Sequence, residues 1–174
     1  MKRVLEPGNR SQRQRRLVLG GMGGVGKTQL AIAYASHCQH EYDSVFCLNA
    51  KSEATLKDSF RKVAAEIVFD IQDPGVVNSE EVLIHIRRWL SHQKNSQWLL
   101  IFDNYDEPEQ YKIENYYPPA SHGAIVVTTR LPRLVAGRPI LIKSLKETEE
   151  SLEVLRTRSE RENVTSGMLP AIKP

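Results

Sequence analysis

The residues best suited to chemistry stand together near the start of the chain, as Gly20-Gly21-Met22-Gly23-Gly24-Val25-Gly26-Lys27-Thr28. From Gly21 to Thr28 they follow the spacing G-x-x-x-x-G-K-T, a phosphate-binding loop pattern. The chemistry explains the residue types. Glycines let backbone N–H groups curl around phosphate oxygens with no Cβ in the way. A helix that starts where the loop ends adds free N–H donors and roughly half a positive charge. Lys27 supplies a mobile full charge for β- and γ-phosphates, and Thr28 a hydroxyl for Mg²⁺, which prefers hard oxygen ligands. The candidate phosphate-contacting set is Gly21, Met22, Gly23, Gly24, Val25, Gly26, Lys27, Thr28 and, opening the helix, Gln29.

Two further groups belong with this loop. Asp103 ends the apolar run Trp98-Leu99-Leu100-Ile101-Phe102, the Walker B arrangement, in which a carboxylate helps hold Mg²⁺ beside the loop threonine. The alternative is an ordinary aspartate in the turn after a strand. Arg130 ends Ala124-Ile125-Val126-Val127-Thr128-Thr129, where a guanidinium can reach a γ-phosphate or simply face solvent. Asp106 or Glu107 can polarise an attacking water, or serve only as loop charge. The five histidines show no metal-ligand spacing, and no G-x-S-x-G nucleophile signature occurs.

Positioning these groups requires alternating strands and helices. Leu17-Val18-Leu19 reads as a strand feeding the loop, and 27–40 as the helix after it. Val45-Phe46-Cys47-Leu48 reads as a strand buried on both faces. Ser52 is the expected cap of a helix striped by Leu56, Phe60, Val63 and Ile67. Asn78 is the expected cap of another, with Val82, Leu83, Ile86, Trp89 and Leu90 on its apolar face. The segment through Tyr111, Tyr116 and Tyr117 reads as polar connection; Ile140-Leu141-Ile142 reads as a short fifth strand, and Thr148 can cap a last helix. The alternation predicts an α/β fold, a parallel sheet with helices on both faces, and ligands at the carboxyl ends of the strands. The loop, Asp103 and Arg130 all fall at such ends.

Composition sets outer bounds. The 174 residues suffice for one domain with a real core, and no stretch approaches the ~20 apolar residues of a membrane span. No apolar leader resembles a signal peptide, so a cytoplasmic location is expected. Cys38 and Cys47 are expected as core-facing thiols. Net charge is +3, but residues 1–16 carry six basic residues against Glu6 alone, a net of +5 that leaves −2 for the rest. No aromatic residue is interleaved with those arginines, which argues against nucleic acid. The expected organisation is a basic disordered leader over 1–15, a nucleotide-binding domain over 16–145, and the frayed start of a helical subdomain over 146–174.

The motifs Leu-Gly-Gly-Met-Gly-Gly-Val-Gly-Lys-Thr-Gln-Leu-Ala (19–31), Trp-Leu-Leu-Ile-Phe-Asp-Asn (98–104) and Gly-Ala-Ile-Val-Val-Thr-Thr-Arg (123–130), in that order, closely resemble the NB-ARC domain, the nucleotide switch of STAND-class P-loop NTPases such as NLR-type receptors. The wording is most similar to fungal members. The resemblance implies a three-layer P-loop NTPase with a five-stranded parallel sheet. It implies ADP or ATP as ligand, with phosphates on Gly21 to Thr28, Mg²⁺ on Thr28 and Asp103, and the γ-phosphate read by Arg130. It also implies a slow switch in which ADP holds a closed form and ATP permits self-association. Where many relatives carry a second acid after the aspartate this chain has Asn104, so slow or no hydrolysis is expected. The adenine-side motifs are absent from 1–15 and garbled in Gly167-Met168-Leu169-Pro170-Ala171. Two other readings stay open: a true P-loop phosphotransferase or NTPase, and a truncated remnant that binds nothing. No Asn-Lys-x-Asp guanine reader occurs, which weighs against a GTPase.

Overall fold

A computed structural model describes residues 1, 5, 14–67 and 78–143. Five strands form one sheet: β1 (Arg15–Gly20), β2 (Ser44–Asn49), β3 (Trp98–Asp103), β4 (Ala124–Thr129) and β5 (Arg138–Leu141). Their spatial order is β2-β3-β4-β1-β5, and every neighbouring pair is parallel. Parallel neighbours need crossovers. These are made by α1 (Lys27–His37), by α2 (Glu53–Ile67) with α3 (Ser79–Ser91), and by irregular chain after β3 and β4.

Alternate residues of each strand bury into different layers, as a two-residue side-chain period requires. Leu17 and Leu19 of β1, Leu99 and Ile101 of β3, and Val126 of β4 pack with Ala31, Tyr34 and Ala35 of α1. Val18, Leu100, Phe102, Ile125 and Val127 face the other way, onto Leu56, Phe60 and Val63 of α2 and Val82, Ile86 and Leu90 of α3. The expected sandwich of helix, parallel sheet and helix is therefore present. Ser52 caps α2, its hydroxyl accepting from the Thr55 N–H at 3.2 Å, and Asn78 caps α3 by accepting from the Glu80 N–H at 3.2 Å.

Three local expectations need correction. β2 is not buried on both faces: Phe46 and Leu48 are buried, but Cys47 and Asn49 are exposed. β2 is the sheet edge, and α1 lies over β3 and β4 without covering it. Cys38 does sit in the core, while Cys47 does not. The third correction concerns the tyrosines. Tyr105, Tyr111, Tyr116 and Tyr117 are all buried, in the same core as Phe60 and Phe102. Phe60 stacks on Tyr116 at 6.0 Å between centroids, and Phe102 meets Tyr117 at 5.4 Å. These rings complete a layer that α2 and α3 leave open, and sequence periodicity does not show it because the segment is irregular apart from one short 3-10 turn, Ile113–Tyr116. Burial is possible because most of the hydroxyls find partners: Tyr105 donates to the Tyr111 carbonyl, Tyr111 to the Ala50 carbonyl and Tyr116 to Glu53 Oε1.

The stretch expected as a disordered leader lies largely outside the described residues. Of those described, Leu5 is buried in the α1 layer, its carbonyl accepting from Arg15 Nη1 at 2.6 Å and from the Tyr42 hydroxyl at 3.0 Å. The helix expected from Thr148 and the segment 146–174 lie outside the described residues. Among the described residues, no helix is long and apolar enough to cross a membrane.

Tyr117 and Tyr111 make opposite predictions. The Tyr117 hydroxyl is buried with no hydrogen-bond partner among the described residues. Removing an unsatisfied group relieves a desolvation cost, whereas removing a satisfied donor strands its acceptor. In urea denaturation Tyr117→Phe should leave stability unchanged or raise it by about 1 kcal/mol, and Tyr111→Phe should lower it by about 1 kcal/mol.

Candidate functional site

The sheet order decides where a ligand can sit. The chain leaves β1 through α1 toward β2 at one edge, and leaves β4 toward β5 at the other. β1 and β4 are neighbours, so their carboxyl ends flank the point where the connections diverge, the usual crevice for ligands in open α/β sheets. The glycine loop follows β1, and Thr128-Thr129-Arg130 closes β4.

The loop has the backbone its glycines suggest. Gly24 has φ 77° and Gly26 φ 90°, left-handed values that a side chain rarely tolerates. At Gly21 the constraint is space: a Cβ would stand 2.7 Å from the Ile142 carbonyl oxygen. At Gly23, Gly24 and Gly26 a Cβ would meet nothing within 4 Å among the described residues, so the loop borders space that they leave open. Gly26 is the N-cap of α1, no side chain caps that end, and no acidic residue lies in its first turn. Among the described residues, no side chain takes the first N–H groups of α1. Lys27 is buried, and its Nζ donates to the carbonyls of Gly21 and Met22 at 2.8 Å each. Met22 is exposed at the loop tip.

Asp103 joins this loop to the rest of the sheet. Its Oδ1 accepts from the Thr28 hydroxyl at 2.7 Å and from the Thr128 hydroxyl at 2.6 Å. Its Oδ2 accepts from Asn104 Nδ2 at 3.1 Å. Asn104 has φ 64°, a left-handed conformation that asparagine adopts more readily than most residues, and its N–H donates to Thr128 Oγ1 at 2.9 Å. Thr128 is fully buried and therefore works twice, as acceptor from Asn104 and donor to Asp103. Sequence reasoning assigned it no role. The available signal was parity: two residues past Val126, Thr128 shares a sheet face with Asp103, which is legible only once β3 and β4 are known to pair with Ile101 opposite Val126.

Arg130 and Asp106 are brought together. Asp106 Oδ1 accepts from the Arg130 backbone N–H and Oδ2 from Arg130 Nε, both at 2.7 Å. Glu107 is exposed.

The donor set fits a hard cation shared with a phosphate. Among the described residues no group of three or more His, Cys, Asp or Glu side chains could by itself hold a metal. One carboxylate beside a threonine hydroxyl suits Mg²⁺, which takes most of its remaining ligands from water and phosphate. Thr28 and Asp103 are the residues that would hold it, and it would draw charge from phosphate oxygens.

A glycine loop at the carboxyl end of the first strand of a five-stranded parallel sheet, with helices on both faces, defines a P-loop NTPase fold. More narrowly, the chain belongs to the NB-ARC family, since the model of the NB-ARC domain matches residues 1–164. A curated relative, a nucleotide-binding leucine-rich repeat (NLR)-like protein of Hyaloscypha variabilis, is 27% identical over 162 residues, covering 82% of this chain and 16% of that protein. The chain therefore spans a small part of that relative. Among solved structures, Drosophila ORC bound to DNA matches with a TM-score of 0.62 at 17% identity, over 92% of this chain and 45% of that one. Aeropyrum pernix ORC2, in ADPNP-ADP complexes, matches with a TM-score of 0.52 at 14% identity, over 86% and 46%. At these identities the likeness concerns the fold.

Cys47 offers a probe of Asp103 that needs no ligand. Although Cys47 is exposed, crowding by protein atoms and, secondarily, the negative charge of Asp103 push its thiol up to about 11. The thiolate fraction at pH 8 is therefore small, and alkylation by iodoacetamide should stay slow until the pH nears that value. Asp103→Asn removes one of the two causes, so it should lower the pH at which alkylation accelerates, as followed by mass spectrometry.

Proposed function

We propose that this chain is an adenine-nucleotide-binding regulatory module of NB-ARC type, which holds the phosphates of ADP or ATP with Mg²⁺ and hydrolyses slowly or not at all. The observation that carries this reading is the glycine loop and uncapped start of α1 bordering open space, with Lys27, Thr28 and Asp103 at its margin. In the proposal the amides from Gly21 to Gln29 bind phosphate oxygens, and Lys27 exchanges its two loop carbonyls for the β- and γ-phosphates. Thr128 and Asn104 fix the Asp103 carboxylate so that it and Thr28 present oxygen to Mg²⁺. Arg130, at the end of the strand beside β1, senses the γ-phosphate.

Slow turnover follows from the residues available to activate water. Asn104 carries an amide, which cannot take up a proton as a carboxylate does, and its Nδ2 donates to Asp103. Of the two other candidate bases, Asp106 has both oxygens accepting from Arg130, and Glu107 is an exposed residue of the loop. Family membership supports the switch role and self-association through the NTPase domain. The choice of adenine rests on the same membership.

Lys27→Ala should abolish the thermal stabilisation by ADP and ATP with Mg²⁺ while leaving the melting temperature of the free protein within a few degrees. A ligand at about 100 times its Kd should stabilise the parent by about 2.7 kcal/mol, so the loss is easily seen. Equal stabilisation of mutant and parent would refute the loop assignment. Asp103→Asn should reduce the gain in ATP affinity on adding Mg²⁺. Calorimetric titrations with Mg²⁺ and with EDTA would measure that gain; an undiminished gain would remove Asp103 from the metal site.

A further inference from the structure

We propose that Asp106 is a positioning residue for Arg130, presenting its guanidinium so that the chain favours a nucleoside triphosphate over a diphosphate. This inference rests on the nucleotide-binding reading above.

Three observations carry it. First, Thr129 is the register partner of Gly20, so Arg130 follows directly beside the start of the phosphate loop. Second, Asp106 grips Arg130 at two separate points, its backbone N–H and its Nε, both at 2.7 Å. A carboxylate that merely neutralised a surface arginine would need only the guanidinium. Holding the backbone as well as Nε fixes both ends of the aliphatic stem. Third, Nε is the inner edge of the guanidinium. Its Nη1 and Nη2 donate to no partner among the described residues, and the side chain is 60% exposed against 20% for Asp106. The four N–H bonds on those nitrogens remain available for phosphate oxygens.

Asp106 is itself placed by the hub at Asp103. Its N–H donates to the Asn104 carbonyl at 3.0 Å, while the Tyr105 N–H donates to the Thr128 carbonyl at 2.9 Å. The turn that sets the metal-side carboxylate thus also sets the arginine's anchor. Asp103 and Asp106 divide the work: one faces Thr28, the other Arg130.

Two effects of Asp106 oppose each other, and they can be separated. Its negative charge repels every phosphate of the ligand, acting on ADP and ATP alike. Its grip on Arg130 acts only through the γ-phosphate, because only the triphosphate uses that residue. Immobilising a side chain as flexible as arginine in advance saves an ordering cost equivalent to roughly three- to tenfold in affinity. The ratio of ATP to ADP affinity isolates this contribution.

The test is calorimetric titration of the full chain with ADP and with ATP, both with Mg²⁺, for the parent, Asp106→Ala, Asp106→Asn, Arg130→Ala and the double variant Asp106→Ala/Arg130→Ala. Asp106→Asn keeps an acceptor for the Arg130 N–H and replaces the acceptor for Nε with a donor. Both Asp106 variants should lower the ATP-to-ADP affinity ratio by roughly three- to tenfold. Arg130→Ala should lower it at least as far, and the double variant should lower it no further. A general loosening of the fold would weaken both nucleotides and leave the ratio in place. An unchanged or increased ratio in the Asp106 variants would overturn the proposal, an increase meaning that Asp106 competes with the phosphate for Arg130. Lys27→Ala run alongside separates the two levels: if it binds as the parent does, the nucleotide reading itself is wrong.

Discussion

The Asp103 carboxylate is the interaction on which the site depends. One of its oxygens receives hydrogen bonds from Thr28 on α1 and Thr128 on β4, while the residue itself ends β3. Three elements that share no sequence neighbourhood are thereby pinned at one point. Charge-assisted bonds of this kind are about twice as strong as neutral ones, and their short lengths leave little play. Without that carboxylate the start of α1 would lose its tie to the strand two places away in the sheet.

The loop in front of this hub gathers positive partial charge with few formal charges. Its positive elements are the amides at the start of α1, which no side chain caps among the described residues, and the Lys27 ammonium, held at the loop's own carbonyls. The burial of Lys27 matters here, because a cation removed from bulk water acts through a lower dielectric. Left-handed backbone at Gly24 and Gly26 is the steric condition for this arrangement, since most other residues would resist it.

The two faces of the sheet are built differently. Among the described residues, one is closed by α1, with Leu5 and the Tyr34–Tyr42 hydroxyl pair filling its margin. The other is closed by α2 and α3 and by a buried aromatic segment with few regular hydrogen bonds of its own. That segment connects β3 to β4, so it also fixes the span between Asp103 and Arg130. Tyr105 donates its hydroxyl to the Tyr111 carbonyl, which ties the turn after Asp103 to the core. The position of Asp106, two residues beyond Asn104's left-handed turn, follows from the same packing.

The sequence by itself determined the elements, the loop and the strand-end residues, because these depend on local rules. Glycine spacing selects the loop, apolar runs select buried strands, and threefold and fourfold recurrence selects helical faces. Ser52 and Asn78 start helices where a side-chain oxygen can accept from a first-turn amide that lacks a backbone partner. What only the tertiary structure decided were relations between distant segments. Strand order places β4 between β3 and β1, which makes Thr128 a partner of Asp103 and sets Arg130 beside the loop. Edge position uncovers Cys47 in a run that reads as uniformly buried. Burial of Tyr111, Tyr116 and Tyr117 depends on the layer left open by two helices elsewhere in the chain. Periodicity records which way a side chain faces along its own element, and it holds no information about which element will come to lie opposite.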